Sequence, residues 1–225
     1  MHKNEFKMQP FNQSCIILSE NTLWSVYMAN DVLEIQLQIQ PEILDEDKIL
    51  IAKAKKNPEA AGRLYDKYYS EILNYIYHCT LDGNVTEDLT SNVFFAAFKH
   101  LGRFKWQQIP FKAWLYRIAT NEVRMHWRRR KRTAAIDDSS LEMVSSEPTG
   151  SENIAIEEEY KLLHKAISEL KLKYRTIIIL RYFEDKTISE ICDITGNKDG
   201  TVKSQLHRGL AKLQDILTSW GVLPE

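Results

Sequence analysis

Apolar side chains recur at intervals of three and four residues over long stretches of the chain, which is the pattern of amphipathic helices. The clearest stripe follows Asn57 and Pro58, which are typical residues for the cap and the first turn of a helix. Its apolar positions include Leu64, Tyr68, Ile72 and Ile76. No alternating pattern of useful length interrupts residues 45–132, so this part is predicted to be all-α.

Two more helices are predicted before residue 132. Asp82-Gly83-Asn84 has the composition of a turn and is expected to end the first helix. Apolar positions then recur over 86–101, which predicts a second helix. Ile109-Pro110 opens a third, whose apolar positions are Phe111, Trp114, Leu115, Ile118 and Ala119.

The C-terminal third has the pattern of a helix-turn-helix. Residues 160–170 and 174–182 predict two amphipathic helices. Thr187 and Glu190 then have the spacing of a capping box at the start of a short helix, and Gly196 suits the tight turn after it. A longer helix follows, and the second helix of such a motif enters the DNA major groove.

The outward face of this last helix is predicted to recognise DNA. It carries Lys203, Ser204, Gln205, His207, Arg208 and Lys212. Gln205 and Arg208 can make paired hydrogen bonds to adenine and guanine edges, and lysines suit phosphates. The alternative is an ordinary helical hairpin with a solvated charged face. Gly209 counts against the motif, because Gly costs about 1 kcal/mol relative to Ala inside a helix.

A second cluster has the composition of a single-strand binding surface. Phe104-Lys105-Trp106-Gln107-Gln108 combines aromatic, basic and amide side chains, and residues 128–132 are five consecutive cations. Unstacked bases stack on aromatic rings while cations follow the phosphates. The alternative is that the tryptophans belong to the core and the cations are merely solvated; Trp114, on the apolar stripe, fits this alternative better than Trp106 does.

A third surface is predicted on the helix over 86–101, opposite its apolar face. It carries Asp88, Ser91, Asn92, Phe95 and Lys99. These positions follow helical spacing, and a large apolar side chain among polar neighbours is typical of a protein contact.

The net charge of −1 conceals a segmental pattern. Residues 45–132 have a net charge of +7 and residues 160–225 of +3, whereas 133–159 have −8. Because residues 133–159 are also rich in Ser and contain Pro and Gly, they are predicted to form an acidic flexible linker between two domains. A solvated loop within one domain is the alternative.

Several other classes of protein are disfavoured. Cys15, Cys79 and Cys192 are far apart and the six histidines are scattered, so neither a disulfide framework nor a metal or cofactor site is expected. Common hydrolase and transferase signatures are absent, so the chain is not predicted to be an enzyme. No run approaches the roughly 20 apolar residues that span a bilayer, so we expect a cytoplasmic protein without membrane insertion.

Three motifs in one order match a known family. They are EDLTSNVF at 87–94, WLYRIATN at 114–121 and GTVKSQLHR at 200–208. Their order and spacing resemble bacterial RNA polymerase sigma factors of the extracytoplasmic-function (ECF) group, over about residues 46–218. The resemblance implies two small helical domains joined by the acidic linker. Their bounds would be an N-terminal extension at 1–45, region 2 at 46–132, the linker at 133–159, region 4 at 160–218 and a tail at 219–225.

The resemblance implies a factor that binds core RNA polymerase and directs it to promoter DNA. In the family, region 2 docks on the clamp coiled coil of the β′ subunit, which would here involve Asp88, Ser91, Asn92, Phe95 and Lys99. Region 2 also melts the −10 element and reads it as a single strand, which would involve Lys105, Trp106, Gln107, Gln108, Asn121, Arg124 and Arg128. Region 4 touches the flap of the β subunit and reads the −35 element as duplex, which would involve Thr201, Lys203, Ser204, Gln205, His207, Arg208 and Lys212.

The resemblance also implies a monomer when free and allows an anti-sigma protein as a further partner. It departs from the family at Gly209, where Ala or Arg is usual, and at Met125, where many relatives carry Asp. Two other functions stay open: a stand-alone helix-turn-helix regulator, and a module that binds only proteins. The first would leave the Trp106 loop and the Phe95 surface without a purpose.

Overall fold

The structure, a computed structural model, describes residues 40–106, 109–134 and 154–222. The regular elements of these residues are all helical, which confirms the all-α class. The chain divides into two units, Met1–Ile43 and Leu44–Glu225. The longer helices are α1 (Gln40–Ala54), α2 (Pro58–Thr80), α3 (Gly83–His100), α4 (Phe111–Ala134), α5 (Ile154–Glu169), α6 (Leu172–Ile178), α7 (Ile188–Thr195) and α8 (Asp199–Ser219).

Helices α2, α3 and α4 form the first bundle, and its core is the predicted apolar stripe. Asn57 caps α2 as expected, because its side chain accepts a hydrogen bond from the backbone of Glu59 at 2.9 Å. Leu64, Ile72 and Ile76 are fully buried. Helix α1 packs on this bundle through buried Asp47 in its middle turn, which accepts hydrogen bonds from Lys67 and from the hydroxyl of Tyr68.

The turn between α2 and α3 differs from the prediction. Asp82 does not end α2 but caps α3, accepting a hydrogen bond from the backbone of Val85 at 3.1 Å. Gly83 and Asn84, predicted as turn residues, are therefore in the first turn of α3. The sharp bend falls on Leu81, which takes the left-handed conformation at φ 54°. The Asp82 side chain satisfies a free backbone N–H at the start of α3, and this capping bond places Gly83 and Asn84 in the helix although their composition is typical of a turn.

The second bundle begins earlier than predicted. Helix α5 starts at Ile154 rather than at residue 160, so residues 154–159 of the predicted linker are helical. Ile156, Tyr160 and Leu163 are spaced as on one face of a helix, so the apolar pattern extends upstream through the three acidic residues at 157–159. Residues 135–153 of the predicted linker and residues 1–39 of the predicted extension at 1–45 lie outside the described residues. Residues 40–45 of that extension belong to α1, and the domain bounds stay predictions.

The helix-turn-helix forms as the sequence predicts. The Thr187 side chain accepts a hydrogen bond from the backbone of Glu190, and the Glu190 carboxylate accepts one in return from the backbone of Thr187. Gly196 ends α7 in the left-handed conformation at φ 73°. The helix predicted over 174–182 is not a regular α-helix throughout. The α-helix α6 ends at Ile178, and the next residues, Ile179–Phe183, form a wider π-helical turn.

The two bundles pack on each other within the second unit. The Tyr116 hydroxyl on α4 donates a hydrogen bond to Glu184 Oε2 at 2.7 Å. Tyr160 on α5 and His78 on α2 are joined by a hydrogen bond between the phenol and Nδ1 at 3.0 Å. These contacts join residues far apart in the chain, so helical periodicity could not predict them.

Candidate nucleic-acid interface

Most of the predicted duplex-binding residues are exposed on one helix. Thr201, Lys203, His207, Arg208 and Lys212 are all exposed on α8. Lys203 Nζ lies 2.8 Å from a carboxylate oxygen of Asp199, one turn away. Both of these side chains are exposed, so the ion pair contributes little to stability. Lys203 can therefore leave the Asp199 carboxylate and bind a phosphate instead.

Ser204 and Gln205 differ from the predicted outward face, because both are half-buried. The hydroxyl of Ser204 donates to the carbonyl of Thr201 at 3.0 Å, within the helix. The side-chain oxygen of Gln205 is shielded from solvent and has no hydrogen-bond partner in the described part of the chain. Gln205 is thus at the edge of the reading face rather than at its centre.

Gly209 has a packing reason that the sequence did not reveal. It is buried in α8, and a Cβ atom at this position would lie 3.2 Å from both Ile178 Cδ1 and Tyr174 Cβ. Such distances are tighter than ordinary van der Waals contact, so a side chain at this position would require α6 to shift by a few tenths of an ångström. Close packing therefore gives Gly209 a role beside the cost in helix propensity that the sequence indicates.

The predicted single-strand residues on α4 share an exposed surface. Asn121, Arg124 and Arg128 are all exposed, and Asn121 Oδ1 accepts a hydrogen bond from Arg124 at 3.3 Å. The neighbouring Trp127 is half-buried, with the guanidinium of Arg130 5.4 Å from its ring centroid and that of Arg175 on α6 at 5.0 Å. Trp127 therefore anchors the basic end of α4 against the second bundle.

Trp106 lies in the loop before α4 and is half-buried. Its ring meets the edge of Phe104 at a centroid distance of 6.1 Å, and Lys48 Nζ lies 5.9 Å from its centroid. Lys105 is exposed, whereas Gln107 and Gln108 lie outside the described residues. Trp114, predicted to belong to the core, is half-buried and packs on Phe104 at 4.9 Å.

A cleft of about 280 Å³ lies beside this loop. Its lining combines aromatic and cationic side chains: His100, Arg103, Phe104, Lys105, Ile109, Trp114 and Arg117. His100, Arg103 and Arg117 were not among the predicted residues. Arg103 directly precedes the Phe104-Lys105-Trp106 loop, and this adjacency was the signal that could have identified it.

The predicted protein-binding surface on α3 is exposed throughout. Asp88, Ser91, Asn92, Phe95 and Lys99 are all exposed. Phe95 is 70% exposed, and Lys99 Nζ lies 5.9 Å from its ring centroid. An apolar ring left in solvent on a polar helix face is typical of a protein contact.

The described residues contain no group of three or more His, Cys, Asp or Glu side chains placed to hold a metal ion. Among the helices of the described ranges, none is long and apolar enough to cross a bilayer.

Known proteins give an independent comparison. The model of Sigma-70 region 2 matches residues 64–133, and that of Sigma-70 region 4 matches residues 160–213. The chain is 28% identical over 160 residues to the ECF RNA polymerase sigma factor BldN of Streptomyces coelicolor, covering 71% of this chain and 61% of BldN. It is 38% identical over 109 residues to the RNA polymerase sigma factor SigV of Bacillus subtilis, covering 48% of this chain and 61% of SigV.

One solved structure shows the same fold. It is the sigma factor RpoE of Bartonella quintana in complex with the anti-sigma factor NepR, with a TM-score of 0.57 and 24% identity over 70% of this chain and 96% of that one. The alignments with BldN and SigV span about three fifths of their lengths. Two sigma-70 regions matched in order, with relatives of one group, show that the chain belongs to the extracytoplasmic-function group of bacterial RNA polymerase sigma factors.

Proposed function

We propose that this protein binds core RNA polymerase and directs it to specific promoters, without a catalytic site of its own. The observation that supports the proposal is that one chain carries two surfaces with the composition expected of DNA contacts: the aromatic and basic loop with α4, and the basic face of α8. The first has the chemistry for an opened strand and the second for duplex DNA.

In this proposal α3 is the docking helix for polymerase. Its exposed Asp88, Asn92 and Phe95 follow helical spacing, so they can meet one partner helix together. The clamp coiled coil of β′ is the proposed partner, and the β flap is proposed for region 4. The protein would act in the cytoplasm, where polymerase and chromosome are found, and would be a monomer when free.

The proposed assignments are as the sequence predicts them. The opened −10 strand would be bound by Lys105, Trp106, Gln107, Gln108, Asn121, Arg124 and Arg128. The −35 duplex would be bound by Thr201, Lys203, Ser204, Gln205, His207, Arg208 and Lys212. His100 and Arg103 join the first set, because they line the same cleft as Lys105.

A stand-alone regulator is not favoured, because the region 2 match accounts for residues 64–133, which such a regulator would not need. RpoE of Bartonella quintana is found in complex with an anti-sigma factor. An anti-sigma partner for this chain stays a prediction.

The deciding experiment is reconstituted transcription. Purified core polymerase and this protein are incubated with a fragmented genomic library, and the run-off transcripts are sequenced. We expect transcripts with discrete start sites that share upstream elements. A Phe95→Ala variant should lose these transcripts while its binding to DNA alone is unchanged. Random start sites with the wild-type chain would refute the proposal.

A further inference from the structure

The loop Phe104-Lys105-Trp106, here called the strand-binding loop, is held by a side chain from another element. Lys55, in the turn directly after α1, donates a hydrogen bond from Nζ to the main-chain carbonyl of Phe104 at 2.9 Å. A hydrogen bond from a charged donor is stronger than one between neutral groups. The contact joins residues far apart in the chain, so it fixes the loop relative to α1.

The turn that carries Lys55 is itself firmly attached to the first bundle. The backbone N–H of Lys55 donates to the carbonyl of Ile51 at 3.1 Å. The N–H of Asn57, the cap of α2, donates to the carbonyl of Lys53 at 2.9 Å. Ile51 and Ala54 are buried in the core. Lys55 therefore extends from a backbone that is held on both sides.

The Phe104 carbonyl is the group of this residue that Lys55 controls. The N–H of Phe104 already donates to the carbonyl of Leu101 at 3.1 Å. Its ring is buried and packs on Phe111 and Trp114 at centroid distances of 5.4 and 4.9 Å. Rotation about ψ of Phe104 would turn the carbonyl away from Lys55 and redirect the residues that follow. The Lys55 hydrogen bond opposes this rotation.

Trp106, two residues further on, depends on that direction. It is only partly buried, and its ring meets Phe104 edge to face at a centroid distance of 6.1 Å. Lys48 of α1 lies 5.9 Å from the ring centroid and is seven residues before Lys55, which is about two helical turns. Both lysines therefore approach the loop from the same side of α1, and the hydrogen bond of Lys55 is the directional contact of the two.

We propose that Lys55 is a positioning residue for Trp106. Its bond to the Phe104 carbonyl sets the direction in which the loop leaves the short turn Leu101–Arg103, so that the indole is held ready for an unpaired base to stack on it. A loop that is ordered before binding loses less conformational entropy when the strand arrives. Lys55 acts through Phe104 and not through a contact with DNA. The inference rests on the proposed function, since it concerns the proposed −10 surface.

The orientation of the ring is tested by NMR of the full-length chain, isotope-labelled at its tryptophan indoles. The Trp106 signal is identified by its loss in Trp106→Phe. We expect Lys55→Met, which keeps the aliphatic stem but removes the donor, to shift and broaden this signal. Lys55→Arg keeps a charged donor and should restore a sharp signal near the wild-type position.

The matched control is Lys56→Met, which removes the same charge from the next residue, also exposed, and should leave the Trp106 signal unchanged. The indole signal of Trp220 on α8 identifies any variant that has simply unfolded. If folded Lys55→Met has the same Trp106 signal as Lys56→Met, the positioning role is overturned.

The consequence for binding is tested with a fluorescent oligo-dT strand and the full-length chain. Losing one stacked base weakens binding about fivefold or more, so Lys55→Met should bind about fivefold more weakly than Lys56→Met. Lys55→Arg should recover most of the affinity. Affinity equal to that of Lys56→Met in a folded Lys55→Met chain would overturn the proposal.

A double-mutant cycle separates positioning from direct contact with a phosphate. In a chain that already carries Trp106→Ala, Lys55→Met should weaken binding no more than Lys56→Met does, because the ring that Lys55 positions is gone. A lysine that binds a phosphate itself would weaken binding by the same factor with and without Trp106, and that result would overturn the positioning role.

The indole measurement uses neither DNA nor polymerase, so this inference and the proposed function can fail separately. Absence of promoter-specific transcripts with the wild-type chain would refute the function and leave a displaced Trp106 signal in Lys55→Met standing. Normal transcripts together with an undisturbed Trp106 signal in Lys55→Met would refute the positioning role alone. A wild-type chain that binds no oligo-dT would refute the strand-binding role of the loop and this inference with it.

Discussion

At the scale of single residues, exposure on α8 separates the candidate DNA contacts. Arg208 is exposed, whereas Gln205 is half-buried with its side-chain oxygen unpartnered within the described ranges. The sequence alone predicted equal roles for them, because helical spacing shows the face of a residue but not how far its neighbours shield it. Arg208 is therefore the stronger candidate for reading a base.

Replacing Arg208 with Ala should reduce discrimination between duplex sequences by about 1–3 kcal/mol, the value of one bidentate contact to a base. Competition binding against single-base variants of the preferred site measures this. Lys212→Ala is the control, because losing a phosphate contact weakens binding to every sequence equally. A uniform loss with Arg208→Ala as well would assign Arg208 to the phosphates instead.

Replacing Trp106 with Ala should impair opening of the promoter more than binding to duplex DNA, because the ring is only partly buried, follows cleft residue Lys105 and can stack on an unpaired base. Permanganate reactivity of promoter thymines, measured with core polymerase, reports the opening. Trp106→Tyr keeps an aromatic face and should retain most of the promoter opening. Unchanged reactivity in the Ala variant would contradict the assignment.

Gly209→Ala should destabilise the fold, although Ala is the better helix former. The new methyl group would meet Ile178 and Tyr174 at 3.2 Å. Overpacking costs about 1–3 kcal/mol against a gain of about 1 kcal/mol in helix propensity, so the expected net loss is up to about 2 kcal/mol. Gly62→Ala is the matched control, because a Cβ there meets nothing within 4 Å and should stabilise α2. Urea unfolding measures the stability of both variants. A Gly209→Ala variant more stable than wild type would show that α6 shifts enough to accommodate the methyl group.

At the scale of elements, local chemistry was predictable and long-range packing was not. The capping box of α7, its left-handed Gly196 and the cap of α2 all follow from residues within one turn of each other. The hydrogen bonds of Tyr116 to Glu184 and of Arg117 to a carbonyl of α7 join residues far apart in the chain. Those side chains therefore had no pattern that distinguished them from ordinary helix positions.

Thr187→Ala should reduce the free energy of unfolding by about 1 kcal/mol, because it removes the acceptor for the backbone of Glu190 at the start of α7. Urea unfolding of the full chain measures the loss. Ser189→Ala, at an exposed position of the same turn, should stay within about 0.5 kcal/mol of wild type. Equal losses in both variants would show that the cap contributes nothing specific.

At the scale of the whole molecule, the junction between the bundles contains opposing titratable groups. Burial lowers the pKa of His78 to about 4, and burial together with His78 lowers that of His164 to about 3. Both are neutral when folded and gain protons on unfolding below about pH 6.5, so their contribution to stability is lost as the pH falls from about 6.5. The raised pKa of Glu184 acts in the opposite sense, adding stability as the pH falls below about 7.

His164→Phe should therefore make the free energy of unfolding fall less steeply as the pH is lowered. His164 Nε2 has no hydrogen-bond partner among the described residues and the ring lies beside Phe183, so Phe should pack there. Relative to wild type, the variant should gain about 1.4 kcal/mol in unfolding free energy between pH 7.5 and 5.5, the value for one proton. Glu184→Gln is the complementary control and should steepen the fall in unfolding free energy with falling pH. Parallel curves of unfolding free energy against pH for wild type and His164→Phe would show that His164 does not cause the loss.

The position of Trp127 gives the molecule an intrinsic optical reporter. Its indole lies between Arg130 of its own helix and Arg175 of the other bundle. Departure of the second bundle would remove one guanidinium and admit water to the ring, which shifts indole emission to longer wavelength. A chain in which the other four tryptophans are phenylalanine would thus report separation of the two bundles as a shift in its fluorescence emission, without any attached dye.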